Sequence, residues 1–194
     1  MPDTGGIAMS TSLRTHNFTV DEYHRMGEAG VFHEDDRVEL LDGQIVEMTP
    51  IGGLHVACVI RLTDLLSPVT GSAAVVSVQN PLVLAERSVP QPDIALLRRR
   101  ADPSGAWLPS HADCLLVIEV ADTSVEHDRD VKIPLYARAG IPEVWLVDLS
   151  ASRIEVYRNP AGGSYAEVTS VSGGETLTPL LLPDARLSVA DVLG

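Results

Sequence analysis

Two acids set in apolar runs, followed by the only lysine of the chain, are the residues whose types and order could do chemistry. Asp93 stands in Pro92-Asp93-Ile94-Ala95-Leu96-Leu97 and Glu119 in Leu115-Leu116-Val117-Ile118-Glu119-Val120-Ala121, both of which read as buried strands. An ionised carboxylate left there without a partner costs on the order of several kcal/mol or takes up a proton, so a partner is expected. A divalent cation would serve both acids at once, and an ammonium beside it suits hydrolysis of a phosphodiester. The alternative is that each acid caps a strand end or pairs with an arginine. Other chemistries have less to stand on. The sequence holds no Walker-type glycine loop, no dinucleotide-binding fingerprint, no His-Glu-x-x-His zinc motif and no Gly-x-Ser-x-Gly elbow.

The elements that must position these groups follow from local pattern. Thr19 with Glu22 forms a capping box that opens a short helix over 19–26. Asp42-Gly43, between Arg37-Val38-Glu39-Leu40-Leu41 and Gln44-Ile45-Val46-Glu47-Met48, predicts a tight hairpin with Glu39 opposite Val46 and Glu47 opposite Val38; parity does not decide which glutamate faces inward. Apolar spacing over 54–66 predicts a helix, with Pro68 ending it. Extended segments follow at 73–79, 81–85, 92–97 and 114–121, with a long loop from Arg98 to Asp113 that contains Trp107. A helix near 129–139, stopped by Gly140-Ile141-Pro142, leads to a strand at 143–148. Short runs at 153–158, 164–170 and 178–182, separated by Asn159-Pro160 and Gly162-Gly163 turns, read as a β meander, and Ser188 caps a last helical turn over Val189 to Leu193. Together they predict a mixed α/β sheet with few helices.

Length and composition bound the rest. The 194 residues suit one domain over 16–194, preceded by a flexible tail over 1–15 that carries Gly, Ser and Thr without periodicity. A net charge of -13 counts against a nucleic-acid partner, since phosphate contacts come from Lys and Arg, although a local patch can still grip a backbone. The basic run Arg98-Arg99-Arg100 is either a solvated strand end or a phosphate clamp. Cys58 and Cys114 lie in apolar surroundings without metal-site spacing, as reduced core cysteines do. With no signal peptide and no apolar run approaching the roughly 18 residues that cross a bilayer, the expectation is a cytoplasmic protein with no membrane partner.

Three stretches resemble the PD-(D/E)XK nuclease superfamily, and more closely its Uma-two family of restriction-type endonucleases. They are Val38-Glu39-Leu40-Leu41-Asp42-Gly43 with Thr49-Pro50 and His55; Gln91-Pro92-Asp93-Ile94; and Val117-Ile118-Glu119-Val120-Ala121-Asp122-Thr123-Ser124 running on through Asp128, Lys132, Tyr136, Gly140-Ile141-Pro142-Glu143 and Trp145-Leu146-Val147-Asp148. The resemblance implies a restriction-endonuclease-like α/β fold: a mixed central sheet with flanking helices, to which the C-terminal β meander is added. It further implies that Asp93 and Glu119 sit on neighbouring strands and converge on Mg²⁺ or Mn²⁺, joined by the main-chain carbonyl of Val120. The superfamily's usual lysine position, two residues after the second acid, is Ala121 here; the Uma-two pattern carries it on the next helix, at Lys132. All thirteen other basic residues are arginine. If the chain is already helical at Asp128, then Asp128, Lys132 and Tyr136 share a face; otherwise Lys132 is a surface partner of Asp128. Glu39 is either an outer acid, binding a second metal or ordering its water, or a cross-strand contact of the hairpin. His55 either touches substrate or a ligand carboxylate, or is structural; Tyr136 and Trp145 read as core. The activity implied is metal-dependent hydrolysis of DNA phosphodiester bonds, with a homodimer suited to cutting two strands. Two alternatives stand beside it: a catalytically silent nuclease-fold module whose acidic surface binds a protein partner, and a metal-dependent hydrolase of a small phosphoester.

Overall fold

Local signals set the first elements of the computed structural model, which describes residues 15–33, 35–100 and 108–194. Nearly all of the expected N-terminal tail, and Trp107 of the long loop, lie outside the described residues. Thr19 caps α1 (Val20–Glu28) through the expected reciprocal box, its own N–H donating to Glu22 at 2.8 Å. Asp42 and Gly43 adopt φ of 48° and 81°, the left-handed pair a two-residue turn needs, and fold β1 (Val38–Leu41) onto β2 (Gln44–Glu47). A Cβ at Gly43 would stand 2.6 Å from the Cβ of Asn17, so glycine is required there by space as well as by φ. Glu39 pairs with Val46 and faces inward, whereas Glu47 is exposed.

The next helix, α2 (Gly53–Thr70), runs past the expected end, with Pro68 inside its last turn. Proline removes one N–H, but hydroxyls of Ser67 and Thr70 donate to the Thr63 and Leu66 carbonyls, and the Gly71 N–H closes onto Ser67. β3 (Ala74–Val78), β4 (Ile94–Arg98) and β5 (Cys114–Ala121) follow. The segment 81–85, expected as a strand, makes only the isolated bridges Val83 to Ser110 and Ala85 to Ser88. Asp93 stands just before β4 instead of within it.

A helical crossover joins β5 to the parallel strand β6 (Glu143–Asp148): α3 (Val125–His127), a π-turn (Asp128–Lys132) and α4 (Ile133–Arg138). Helical backbone therefore starts earlier than the expected 129. Pro134 accounts for the wide turn, because it offers no N–H to the Asp130 carbonyl and its ring crowds that carbonyl. Gly140, at φ 76°, ends α4 with the Ile141 N–H closing onto Tyr136. β7 (Arg153–Ala161) and β8 (Ser164–Ser172) extend the sheet as a hairpin about Gly162-Gly163. Asn159-Pro160, expected as a turn, stays inside β7, with Asn159 at φ 59° skipped by the pairing. The short strands β9 (Thr176–Leu177) and β10 (Leu187–Ser188) pair with each other, while 178–182, expected as a strand, lies outside both. Ser188 caps α5 (Val189–Leu193) as expected.

The main sheet has the order β3-β4-β5-β6-β7-β8, antiparallel except between β5 and β6. Every residue of β5 is buried, and alternation sends its residues to two cores. Leu116, Ile118 and Val120 join Leu62, Trp145 and Val192 on the α2 and α5 side; Val117 and Ala121 join Leu135, Tyr136 and Leu146 on the α4 side. Glu119 thus projects toward α4. Cys58 and Cys114 are buried and free. Among the described residues no helix is long and apolar enough to cross a membrane.

Candidate functional site

Ile94 of β4 pairs with Ile118 of β5, and one step further along the same register Asp93 lies opposite Glu119, where the strands part. Asp93 bridges the gap. Its Oδ2 accepts the Val120 N–H at 2.9 Å, and its Oδ1 accepts from Gln79 Nε2 at 3.2 Å and faces His55 Nε2 at 3.0 Å. Glu119 Oε1 accepts the Tyr136 hydroxyl and lies 2.8 Å from Lys132 Nζ. The same ammonium is 3.6 Å from Glu39 Oε2, which also accepts the Gln91 N–H at 3.0 Å. Asp128 accepts from Ser124 Oγ at 2.8 Å. Asp93, Glu119, Lys132, Glu39, His55 and Asp128 line one cavity of about 370 Å³, and Val120 also lies on its wall.

The wide turn ahead of Pro134 is what delivers the lysine. Asp128, Lys132 and Tyr136 are all buried on the inner side of the crossover, so Lys132 is not a surface partner of Asp128. Arg129, between them, turns the other way and grips Glu155 of β7 with two bonds of 3.1 and 2.8 Å, tying the π-turn to the sheet. Glu155 is held in turn by Arg153 and the Tyr157 hydroxyl.

Four buried acids share one ammonium, and the charges respond accordingly. Burial pushes the Glu119 carboxyl up to about 8; Lys132 opposes this only in part, and Asp128 and Asp93 push further. Asp128 is raised by burial too, with Lys132 and Ser124 offsetting less than the cost. Burial also raises Asp93, but contact with His55 and the Val120 N–H outweigh it and hold that carboxyl below its ordinary value. For Lys132, burial favours the neutral amine, yet Glu119, Glu39 and Asp128 together raise it well above its usual value. The lysine gains from all three acids while each acid gets a share of one cation. Lys132 is therefore a fixed positive charge and hydrogen-bond donor at neutral pH, not a base.

This donor set suits a hard divalent cation. It consists of carboxylate oxygens short of positive charge. Among the described residues no three His, Cys, Asp or Glu side chains stand so as to hold a metal ion between them. The fit is to an ion such as Mg²⁺ or Mn²⁺, which takes one or two carboxylates and keeps waters, and not to a structural zinc.

Several groups around the site escaped the sequence reading. Tyr136, read as core, is buried but also donates to Glu119, a contact its i, i+4 spacing from Lys132 could have flagged. Gln79 leaves no signal, because a loop path brings it in, and Gln91 stands in the Pro-Asp stretch without a role of its own. Trp145 is core, its indole N–H held by Glu143 at 2.8 Å. In the basic run, Arg98 ends β4 exposed to solvent and Arg99 donates to the Gly71, Ser72 and Ala74 carbonyls, the behaviour of a strand end.

Comparison with known proteins bears on the fold and the family. The structure is similar to the crystal structure of a "putative nuclease belonging to DUF820" from Anabaena variabilis, with a TM-score of 0.72 and 17% identity over 91% of this chain and 97% of that one. At that identity the likeness establishes the fold. No curated protein matches the chain. A family model described as "Uma2: Putative restriction endonuclease" matches residues 20–190, which takes in the hairpin, both acids and the crossover lysine. The chain therefore belongs to the Uma-two family of the restriction-endonuclease-like nucleases.

Proposed function

We propose that this protein is a metal-dependent endonuclease that hydrolyses DNA phosphodiester bonds in the cavity between the β1–β2 hairpin, β4, β5 and the crossover. The observation that carries the reading is the meeting of Lys132 Nζ with Glu119 at 2.8 Å and Glu39 at 3.6 Å beside Asp93, in a cavity where four buried acids outnumber the one ammonium. Asp93, Glu119 and the main-chain carbonyl of Val120 would hold Mg²⁺ or Mn²⁺, with Glu39 able to serve a second ion. When bound, the ion supplies Lewis acidity toward a phosphate oxygen and makes a water more acidic.

The chain's own residues do the rest. His55 and Gln79 fix the Asp93 carboxylate through two hydrogen bonds, and Tyr136 fixes Glu119. Lys132, permanently protonated, donates hydrogen bonds to the attacking water or to the phosphate oxygens on which negative charge gathers. Buried walls at Glu39, Glu119 and Asp128 keep that ammonium poorly hydrated, which strengthens its effect on such charge. Cutting both strands of a duplex needs two sites, so the same reading pairs two copies of the chain.

Purified protein should nick or cut DNA with Mg²⁺ or Mn²⁺, and Asp93→Ala and Glu119→Ala should each abolish cutting. Undiminished cutting by either variant would remove this site from the chemistry. The net charge of -13 favours a second reading, a silent module that binds a protein partner. Calorimetry separates the two: binding of Mn²⁺ that disappears in Asp93→Ala supports the enzyme, and absence of Mn²⁺ binding by the wild type supports the module.

A further inference from the structure

Among the described residues, one cationic side chain on the cavity wall has no carboxylate to hold it. Arg37 extends β1 by one residue, since its carbonyl accepts the Met48 N–H at 2.8 Å, next to the Val38–Glu47 pair. Alternation along the strand puts its side chain on the face of Glu39, and both residues line the cavity. Other half-buried arginines all have acceptors: Arg61 the Val192 and Leu193 carbonyls, Arg129 Glu155, Arg153 Asp148 and Glu155, and Arg158 Glu143. Arg37 belongs to the same half-buried class, and among the described residues its guanidinium has neither an ion pair nor a hydrogen bond.

Its nitrogens are not among the buried donors left without a partner, so water serves them, and no protein acceptor has to be displaced when an anion arrives. Its planar fork matches the oxygens of a phosphate in a way that a lysine does not. Its position says which phosphate. Residues two apart on one strand face are separated by about 7 Å, and Glu39, the neighbour on that face, is the residue 3.6 Å from Lys132 Nζ. Arg37 therefore stands one strand repeat beyond the group that Lys132 touches. It is placed to hold a neighbouring charge on the same ligand, not the one beside Glu119.

We propose that Arg37 grips a phosphate flanking the one that is cut, so that the substrate is a nucleic-acid strand with at least two consecutive phosphodiesters and not a small phosphoester. The assignment rests on the nuclease reading above and narrows it. A guanidinium at this point also eases the approach of an anionic strand to a cavity whose charged lining residues are mostly acids.

The test is binding, measured by fluorescence anisotropy with Ca²⁺ in place of Mg²⁺ so that nothing is cut. The probes are a six-nucleotide oligothymidylate and a thymidine dinucleotide with a single phosphodiester, each with wild type, Arg37→Gln and Arg37→Lys. Arg37→Gln should weaken the hexanucleotide about 10- to 100-fold, as loss of a charge-assisted phosphate contact does. It should also lower the salt slope by about 0.7, the value for one contact to a single strand. Affinity for the dinucleotide should stay within about twofold, and Arg37→Lys should recover part of the loss. Replacing the phosphates of the hexanucleotide one at a time by neutral methylphosphonates should reveal one position at which wild type and Arg37→Gln bind alike. Equal hexanucleotide binding by wild type and Arg37→Gln overturns the clamp, as does an equal loss for both probes. Arg37-dependent binding by a protein that cuts no DNA with Mg²⁺ or Mn²⁺ upholds the clamp and sinks the nuclease reading. DNA cutting that depends on Asp93 but is indifferent to Arg37→Gln sinks the clamp alone.

Discussion

Replacing Glu119 by glutamine should make the metal-free protein less sensitive to alkali, and the size of the effect follows from the buried cluster. Burial lifts the Glu119 carboxyl from an ordinary value of 4.5 to about 8, with Lys132 countering only part of the cost. Below about pH 4.5 the folded and unfolded chains both hold this proton, and the residue has no effect on stability. As pH rises from there toward 8 the unfolded chain gives up the proton while the folded chain keeps it, so stability falls by about 1.4 kcal/mol per pH unit. Between pH 5 and pH 7 that amounts to about 3 kcal/mol. Glutamine cannot ionise and escapes this slope, although its amide adds a pH-independent offset of its own. Urea unfolding with a chelator present, at several pH values from 5 to 8, gives the difference directly. The gap between Glu119→Gln and wild type should move in favour of the variant by about 3 kcal/mol from pH 5 to pH 7. Mn²⁺ at pH 7 should then stabilise the wild type more than the variant, which keeps Asp93 but loses the charged ligand at 119. Parallel stability curves for the two proteins across that range would refute the claim that Glu119 is starved of positive charge.

Two further outcomes follow from other parts of the structure. Arg158→Met strands Glu143, a fully buried carboxylate that Arg158 approaches at 2.7 Å; urea unfolding should show a loss of about 3 to 5 kcal/mol, and an unchanged midpoint would mean that the Trp145 and Leu180 donors suffice. Arg129→Gln unties the π-turn from Glu155, and should lower DNA cutting by about 100-fold through a misplaced Lys132 while Mn²⁺ affinity stays within about twofold. Equal loss of cutting and of Mn²⁺ binding would instead point to general damage to the fold.

Nearest-neighbour effects explain which parts of this structure are legible in the sequence. The capping box at Thr19, the Asp42-Gly43 hairpin, the strands β5 and β6 and the Ser188 cap are decided within a few residues, and the structure has them where the sequence predicts. The apolar runs 81–85 and 178–182 look like strands by composition. Pro81 bounds the first, and Pro179 and Pro183 enclose most of the second; prolines deny ladder hydrogen bonds, and neither segment finds a partner in the main sheet. At the candidate site, Asp93 and Glu119 are visible as acids in apolar company, but their juxtaposition depends on a strand register that no single strand encodes. The inward choice of Glu39 over Glu47 depends on what the hairpin packs against. The role of Lys132 follows from family resemblance alone, and its burial depends on a turn whose only sequence signal is Pro134.

That turn also carries a lesson about how a reactive group can change address. One residue more than a regular α-helical repeat is wound into Asp128–Lys132. Each residue of a helix advances the side-chain direction by about 100°, so inserting or deleting one there swings everything upstream relative to everything downstream without disturbing either flanking strand. One residue of winding can thus decide whether an ammonium carried by the crossover faces the two acids, with the small, buried Ala121 standing on the neighbouring strand.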